Sequence, residues 1–345
     1  MSHSLKLQTR PGSVLSFGEL LIRISPDADG EWLNNNNLPF YIGGAELNAA
    51  SALALWGVPS RYFTALPNNS LSGQIVQYLE KRKIDTSAFH FGGDRIGIYY
   101  LTQGQDLKNA GVIYDRANSA FATLKTGIID WDKVFDGVNW FHFSAICPAI
   151  SQNVADVCLE AITAASQKNI TISVDLNYRS KLWKYGKTPL EVMPALVAYC
   201  DLVMGNLWAA EMMLGINVIP NIHESGQKSI YLREALNSSK GIMARFEKCK
   251  FVANTFRFDA TNDIKYYTTL YTENQLYHSL EYESGAVTDK SGSGDCFMAG
   301  LIYGFQTGME TAEIIEFATA AAFGKLFVKG DATRQTVAEI KRAYQ

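Results

Sequence analysis

Residues 288–300 read TDKSGSGDCFMAG. The segment from Cys296 to Phe305 is apolar and helix-compatible, so Gly292, Ser293 and Gly294 abut a helix N-terminus. Such a start gathers backbone N–H groups at the positive end of the helix, which together suit an anion. Glycines serve there because they permit positive φ and put no Cβ in the anion's way. Asp295 then has two readings. It is an N-cap that satisfies an orphan N–H, or a base that takes the proton of an alcohol attacking a phosphate held beside it. In either case the positive helix end is expected to lower its pKa. Rival glycine patterns fail. G-x-x-x-x-G-K-[ST] is absent, and Gly292-x-Gly294 lacks the third small residue and comes last in the chain rather than after the first strand.

A second glycine pair, Gly43-Gly44, opens the stretch GGAELNAASALALWG (residues 43–57). Ala45 to Trp56 reads as a helix stopped by Gly57, its alanines small enough for close packing on a sheet. The pair is a tight strand-to-helix turn, or a backbone approach to a polyol with Asn48 donating and accepting hydrogen bonds. Between the two motifs, strands and helices alternate. Val14–Phe17, Arg61–Leu66, Trp140–Phe143, Ile170–Leu176 and Asp201–Gly205 read as strands, with helices at Gly73–Lys83, Asn153–Ser166 and Leu207–Leu214. That order predicts a mostly parallel sheet covered by helices. Ile96–Thr102 and Gly111–Tyr114, joined by the turn 104–106, read as a hairpin outside the main sheet. Strands follow at 251–254 and within 264–282, and the tail is helical at 295–303, 312–328 and 336–344.

An apolar fraction of 47% in 345 residues supplies a deep core, and a net charge of −3 argues against a nucleic-acid partner. No apolar run reaches the ~18 residues that a membrane span needs, and the first residues lack the apolar core of a secretory signal. Five scattered cysteines, with no C-x-x-C, fit reduced thiols in a cytoplasmic protein and give no zinc spacing.

Together, GGAELNAASALALWG and DKSGSGDCFMAG resemble the paired signatures of the ribokinase-like (PfkB) carbohydrate kinases, in the same order and at the same separation. The likeness extends over nearly the whole chain. It implies one α/β domain over 1–345, a three-layer α/β/α core with a mostly parallel central sheet, and a small β-sheet lid drawn from about 20–43 and 91–120. It further implies ATP and Mg²⁺, Asp295 as base, and Gly292, Ser293 and Gly294 as the cradle of the transferring phosphoryl group. Asn206 and Lys290 join Gly292 and Gly294 on the nucleotide side.

Within the family, GIYYLTQG, VIYDRANSA and VDLNYRSKLW are similar to stretches of the 2-keto-3-deoxygluconate kinases. The resemblance places Gly43, Gly44, Asn48, Tyr99, Tyr114, Arg116, Arg179 and Asp331 at the acid sugar, with Arg179 near the phosphate path. Two guanidiniums suit a carboxylate-bearing substrate, which each can bind as a fork. Fructokinase is the nearest alternative, and a non-catalytic sugar-acid sensor is the alternative from another class. The chain departs from the family where N-x-x-E is usual: Ala209 follows Asn206, and Glu211 is the candidate metal ligand. VANTFRFDATND stands where a G-x-x-G is usual, and Lys290 where many members have Thr. A dimer or larger assembly through the lid, residues 91–120, is the expected oligomer.

Overall fold

The computed structural model describes residues 11–26, 32–33, 37–101, 111–224, 226–259, 263–285 and 287–345. The turn expected at 104–106 lies outside them. β1 (Ser13–Phe17) begins the main sheet, β2 (Leu21–Ile24) and β3 (Phe40–Gly43) leave it, and α1 (Ala45–Leu55) leads back to β4 (Ser60–Phe63). After β5 (Ala65–Leu66), α2 (Ser70–Glu80), β6 (Ile84–Asp85) and β7 (His90–Phe91) come β8 (Gly97–Tyr100) and β9 (Ile113–Asp115). Then α3 (Trp131–Val134) precedes β10 (Val138–Ser144), α4 (Gln152–Gln167), β11 (Thr171–Asp175), α5 (Pro189–Val197), β12 (Leu202–Gly205) and α6 (Leu207–Leu214). α7 (Lys228–Arg245) is followed by β13 (Phe251–Asp259), β14 (Ile264–Thr272), β15 (Gln275–His278) and β16 (Tyr282–Ser284). Three helices close the chain, α8 (Ser293–Gln306), α9 (Thr311–Lys325) and α10 (Val337–Arg342).

The main sheet runs β15-β14-β13-β12-β11-β10-β1-β4-β6, with β16 beside β14. It is parallel from β6 to β13 and antiparallel beyond. Burial on both faces explains the near-continuous apolar strands. In β10, Phe141 and Phe143 pack into the core beneath α4, while Trp140 packs into the core beneath α8 and α9. α8 and α9 touch closely at Gly300, where a Cβ would lie 2.6 Å from Cα of Ala318.

A separate four-stranded sheet, β3-β2-β8-β9, forms the lid. It contains the expected hairpin strands, and β2 and β3 complete it. The expected strand Arg61–Leu66 is broken at Thr64. β4 stays in the main sheet, while β5 pairs with β7 in a small sheet of its own. The Thr64 hydroxyl at the break accepts the Leu20 N–H at 3.1 Å. α2 begins at Ser70, three residues before the expected start, because the Asn69 side chain caps it by accepting from Ser72 N–H. α5 and α7 are helices beyond those expected, although α5 opens on a capping box of Thr188 and Glu191 with Pro189 in its first turn. α5 contains Pro194, and α7 is mostly polar with Gly241 inside it. All five cysteines are free and buried, and no helix among the described residues is long and apolar enough to cross a membrane.

Candidate active site

The carboxyl ends of β1, β10, β11 and β12 lie in register, with Ser144 beside Asp175 and Asp175 beside Met204. In an open parallel sheet this is the edge where ligands sit. A cleft opens there. Gly44, Glu46 and Asn48 from the start of α1 face Gly292 to Asp295 at the start of α8, and the lid supplies Tyr99, Tyr114 and Arg116. Asp175, Tyr178, Arg179, Asn206, Trp208, Arg257 and Lys290 line the rest.

α8 begins at Gly292, whose φ of 76° is left-handed, and no side chain caps it. The N–H groups of that first turn, which have no partner within the helix, make a cradle that an anion would satisfy. Asp295 is not the N-cap. It sits in the first turn and its Oδ2 accepts a 2.7 Å hydrogen bond from Asn48 Nδ2, joining residues 247 apart in sequence. Asn48 Oδ1 is buried with no partner among the described residues, and a ligand hydroxyl would complete it.

The expected lowering of the Asp295 pKa is reversed: it is pushed up to about 8. Burial is the main cause. The Asn48 hydrogen bond opposes it, Asp175 and Glu46 add to it, and the charge of Arg179 opposes it. Enclosure of the carboxyl thus outweighs the helix end. Glu46 is itself buried, with its pKa raised by that burial, and accepts from Ser144 N–H at 3.0 Å and Cys147 Sγ at 3.3 Å.

The structure separates the two expected guanidiniums. Arg116 is buried and donates through Nε and Nη2 to Glu19, so its charge is balanced within the protein. Arg179 is half-buried on the cleft wall, and its Nη1 donates to the Tyr178 carbonyl at 3.1 Å. Tyr114 lines the cleft with the Arg116 guanidinium 5.9 Å from its ring centre. Tyr99 lines it too, although its hydroxyl donates to Asp331 Oδ2 at 2.9 Å. Three expected residues lie elsewhere. Gly43 backs onto the Asp331 carboxylate rather than the cleft, Asp331 is buried behind the lid, and Glu211 borders an apolar recess.

That recess, of about 520 Å³, is lined by Trp208, Val218, Ile222, Tyr231 and Phe256, and it meets the cleft at Asn206, Trp208, Thr255 and Arg257. Asn206 Oδ1 caps α6 by accepting from Ala209 N–H at 2.7 Å, and Lys290 Nζ lies 3.3 Å from Asp259. No group of three or more His, Cys, Asp or Glu among the described residues is arranged to hold a metal, so the chain's own donors do not fit a Mg²⁺ cage built around Glu211. Sequence reasoning passed over Glu46, Asp175, Glu19 and Trp208. Glu46 and Asp175 stand inside quoted motifs, but a Glu in a first helical turn and an Asp ending a strand are ordinary on their own.

The family described as pfkB family carbohydrate kinase matches residues 12–241 and 266–336. The crystal structure of 2-dehydro-3-deoxygluconokinase from Thermotoga maritima superposes with a TM-score of 0.87 at 32% identity, over 96% of this chain and 99% of that one. 2-Dehydro-3-deoxygalactonokinase of Haloferax volcanii is 33% identical over 171 residues, which are 49% of this chain and 53% of that relative, about half its length. 2-Dehydro-3-deoxygluconokinase of Bacillus subtilis is 24% identical over 318 residues, 92% of this chain and 90% of that one.

Proposed function

The chain belongs to the pfkB family of carbohydrate kinases, and from that premise we propose that it phosphorylates 2-dehydro-3-deoxy-D-gluconate on its 6-hydroxyl with ATP. The observation that carries this is the Asn48–Asp295 pair beside the uncapped start of α8. Asp295 accepts the proton of the sugar hydroxyl, Asn48 orients both, and the N–H groups after Gly292 receive charge on the transferring phosphoryl group. The apolar recess next to Trp208 accommodates the nucleobase. Mg²⁺ would be held chiefly by the nucleotide phosphates rather than by a cage of side chains, and would offset their charge. Arg179 meets the sugar carboxylate, because Arg116 is already neutralised by Glu19.

A coupled ADP-release assay with 2-dehydro-3-deoxygluconate, gluconate, fructose, ribose and adenosine tests the reading. Turnover confined to the keto-deoxy acid is expected; turnover on fructose alone would overturn the substrate while keeping the chemistry. Arg179→Ala should raise KM for the acid roughly 10–100-fold, the worth of one charged hydrogen bond, and affect any slow turnover of neutral sugars far less. Equal losses on both would remove Arg179 from carboxylate recognition. Because the base works only when ionised, kcat/KM should climb about tenfold per pH unit on the acid side and level off near pH 8, where Asp295 titrates. A limb centred near pH 4 would mean that Asp295 is already ionised in the free enzyme.

A further inference from the structure

Behind the glycine cradle lies a buried group of charges, reaching the cleft wall at Ser291, that the chemistry above does not use. Arg23 stands on lid strand β2 and is 1% exposed. Its Nη2 donates to Asp289 Oδ2 at 2.8 Å, and its Nη1 to Asp289 Oδ1 at 3.3 Å and to Ser291 Oγ at 2.9 Å. Its Nε lies 3.1 Å from Asp331 Oδ1, and the guanidinium covers the Tyr41 ring of β3 at 4.5 Å. Asp289 in turn accepts from Ser291 N–H at 3.0 Å and Gly330 N–H at 3.1 Å. The Asp331 carbonyl presses on Gly292, where a Cβ would lie 1.9 Å from it. Thus one side chain of the lid grips both ends of the turn that delivers Gly292 to Asp295.

We propose that Arg23 is a positioning residue for phosphoryl transfer, which locks the glycine cradle to the lid so that the N–H groups and Asp295 hold their reactive placement. The geometry demands a planar fork. Three acceptor oxygens, two from Asp289 and one from Ser291, are served by two nitrogens in one plane, which a lysine ammonium cannot do. A buried pair of this kind need not add to stability, since desolvation offsets much of the attraction. Its value here is geometric. Burial pushes the Asp289 carboxyl up, but Arg23 and the Ser291 N–H more than offset this and hold it below its ordinary range, so the fork keeps an ionised partner. A small shift of the cradle would spoil alignment at the phosphoryl group, while the sugar-binding wall is reached only indirectly, through Asp331 and Tyr99.

The proposal rests on the kinase reading, and its test separates the two. In Arg23→Lys, confirmed as folded by its melting transition, kcat should fall roughly 10–100-fold, the range that small misplacements cost, with KM for the sugar acid within about threefold. Hydrogen exchange of the amides of residues 291–295 should accelerate in the variant while that of β10 and β11 stays unchanged. If Arg23→Lys does not fold, Ser291→Ala, which removes one acceptor of the fork, takes its place with the same expected directions. Unchanged kcat in a folded variant overturns the proposal, as does unchanged exchange at 291–295. A matched fall in stability and rise in KM would also overturn it, since that marks a purely structural role. If the wild-type chain turns over none of the sugars, the kinase reading fails, and the exchange measurement alone still decides whether Arg23 holds the cradle.

Discussion

Asp295→Asn should lower kcat roughly 10²–10⁴-fold, the usual contribution of a positioned base, and should make the protein more stable. Asparagine keeps the shape and an oxygen for the Asn48 amide at the 2.7 Å position, so binding of the sugar acid stays near normal. The stability gain follows from linkage. The carboxyl titrates near 3.8 when unperturbed and near 8 in the folded protein. The help that the raised pKa gives the folded state is fully present below about pH 3.8 and is lost as pH rises through 8. Above that pH the wild type carries an enclosed charge that asparagine lacks. A shift of this size is worth on the order of 5 kcal/mol, so the variant should melt several degrees higher at pH 8.5, with the difference shrinking toward pH 5. Paired melting curves at the two pH values check this. Equal Tm at both would mean that the Asp295 carboxyl is as well solvated folded as unfolded. Turnover within threefold of wild type would remove it as the base.

Gly292→Ala should be nearly as damaging for a different reason. The residue holds φ 76°, and an added Cβ would meet the Asp331 carbonyl at 1.9 Å. A non-glycine residue in that backbone region costs about 1–3 kcal/mol, and the clash is with backbone, which has no rotamer to move. The loop must shift, and with it the N–H groups after Gly292. Loss of one such donor typically costs about 10²–10³ in kcat, so that is the expected fall, with a lower Tm and with retained binding of the sugar acid by titration calorimetry. A variant that is destabilised yet fully active would show that the phosphoryl group is held elsewhere.

The two signature stretches and the βα alternation between them were legible before any coordinates. So was the lid hairpin, because strand pattern and the absence of an intervening helix mark it. Of the residues named from the sequence, Gly44, Asn48, Tyr99, Tyr114, Arg116, Arg179, Asn206, Lys290 and Gly292 to Asp295 line one cleft. Gly43, Asp331 and Glu211 do not. Arg116 shows what residue type alone leaves out: a guanidinium on the cleft wall is also bound to Glu19, 97 positions away. Asp295 shows the same for acidity. Its place at a helix start argues for a lowered pKa, and only the packed surroundings, with Asp175 and Glu46 nearby, reverse the sign.

By itself, then, the sequence determined what depends on local order: the periodicity that makes a parallel sheet, the glycines that free a helix start, and the pairing of two motifs in one chain. Tertiary structure decided which charges meet. Arg23 joins Asp289 across 266 residues and Asn48 joins Asp295 across 247, and no spacing rule reaches that far. The energy of such a contact depends on burial and on the full set of neighbours, and these exist only once the chain has folded.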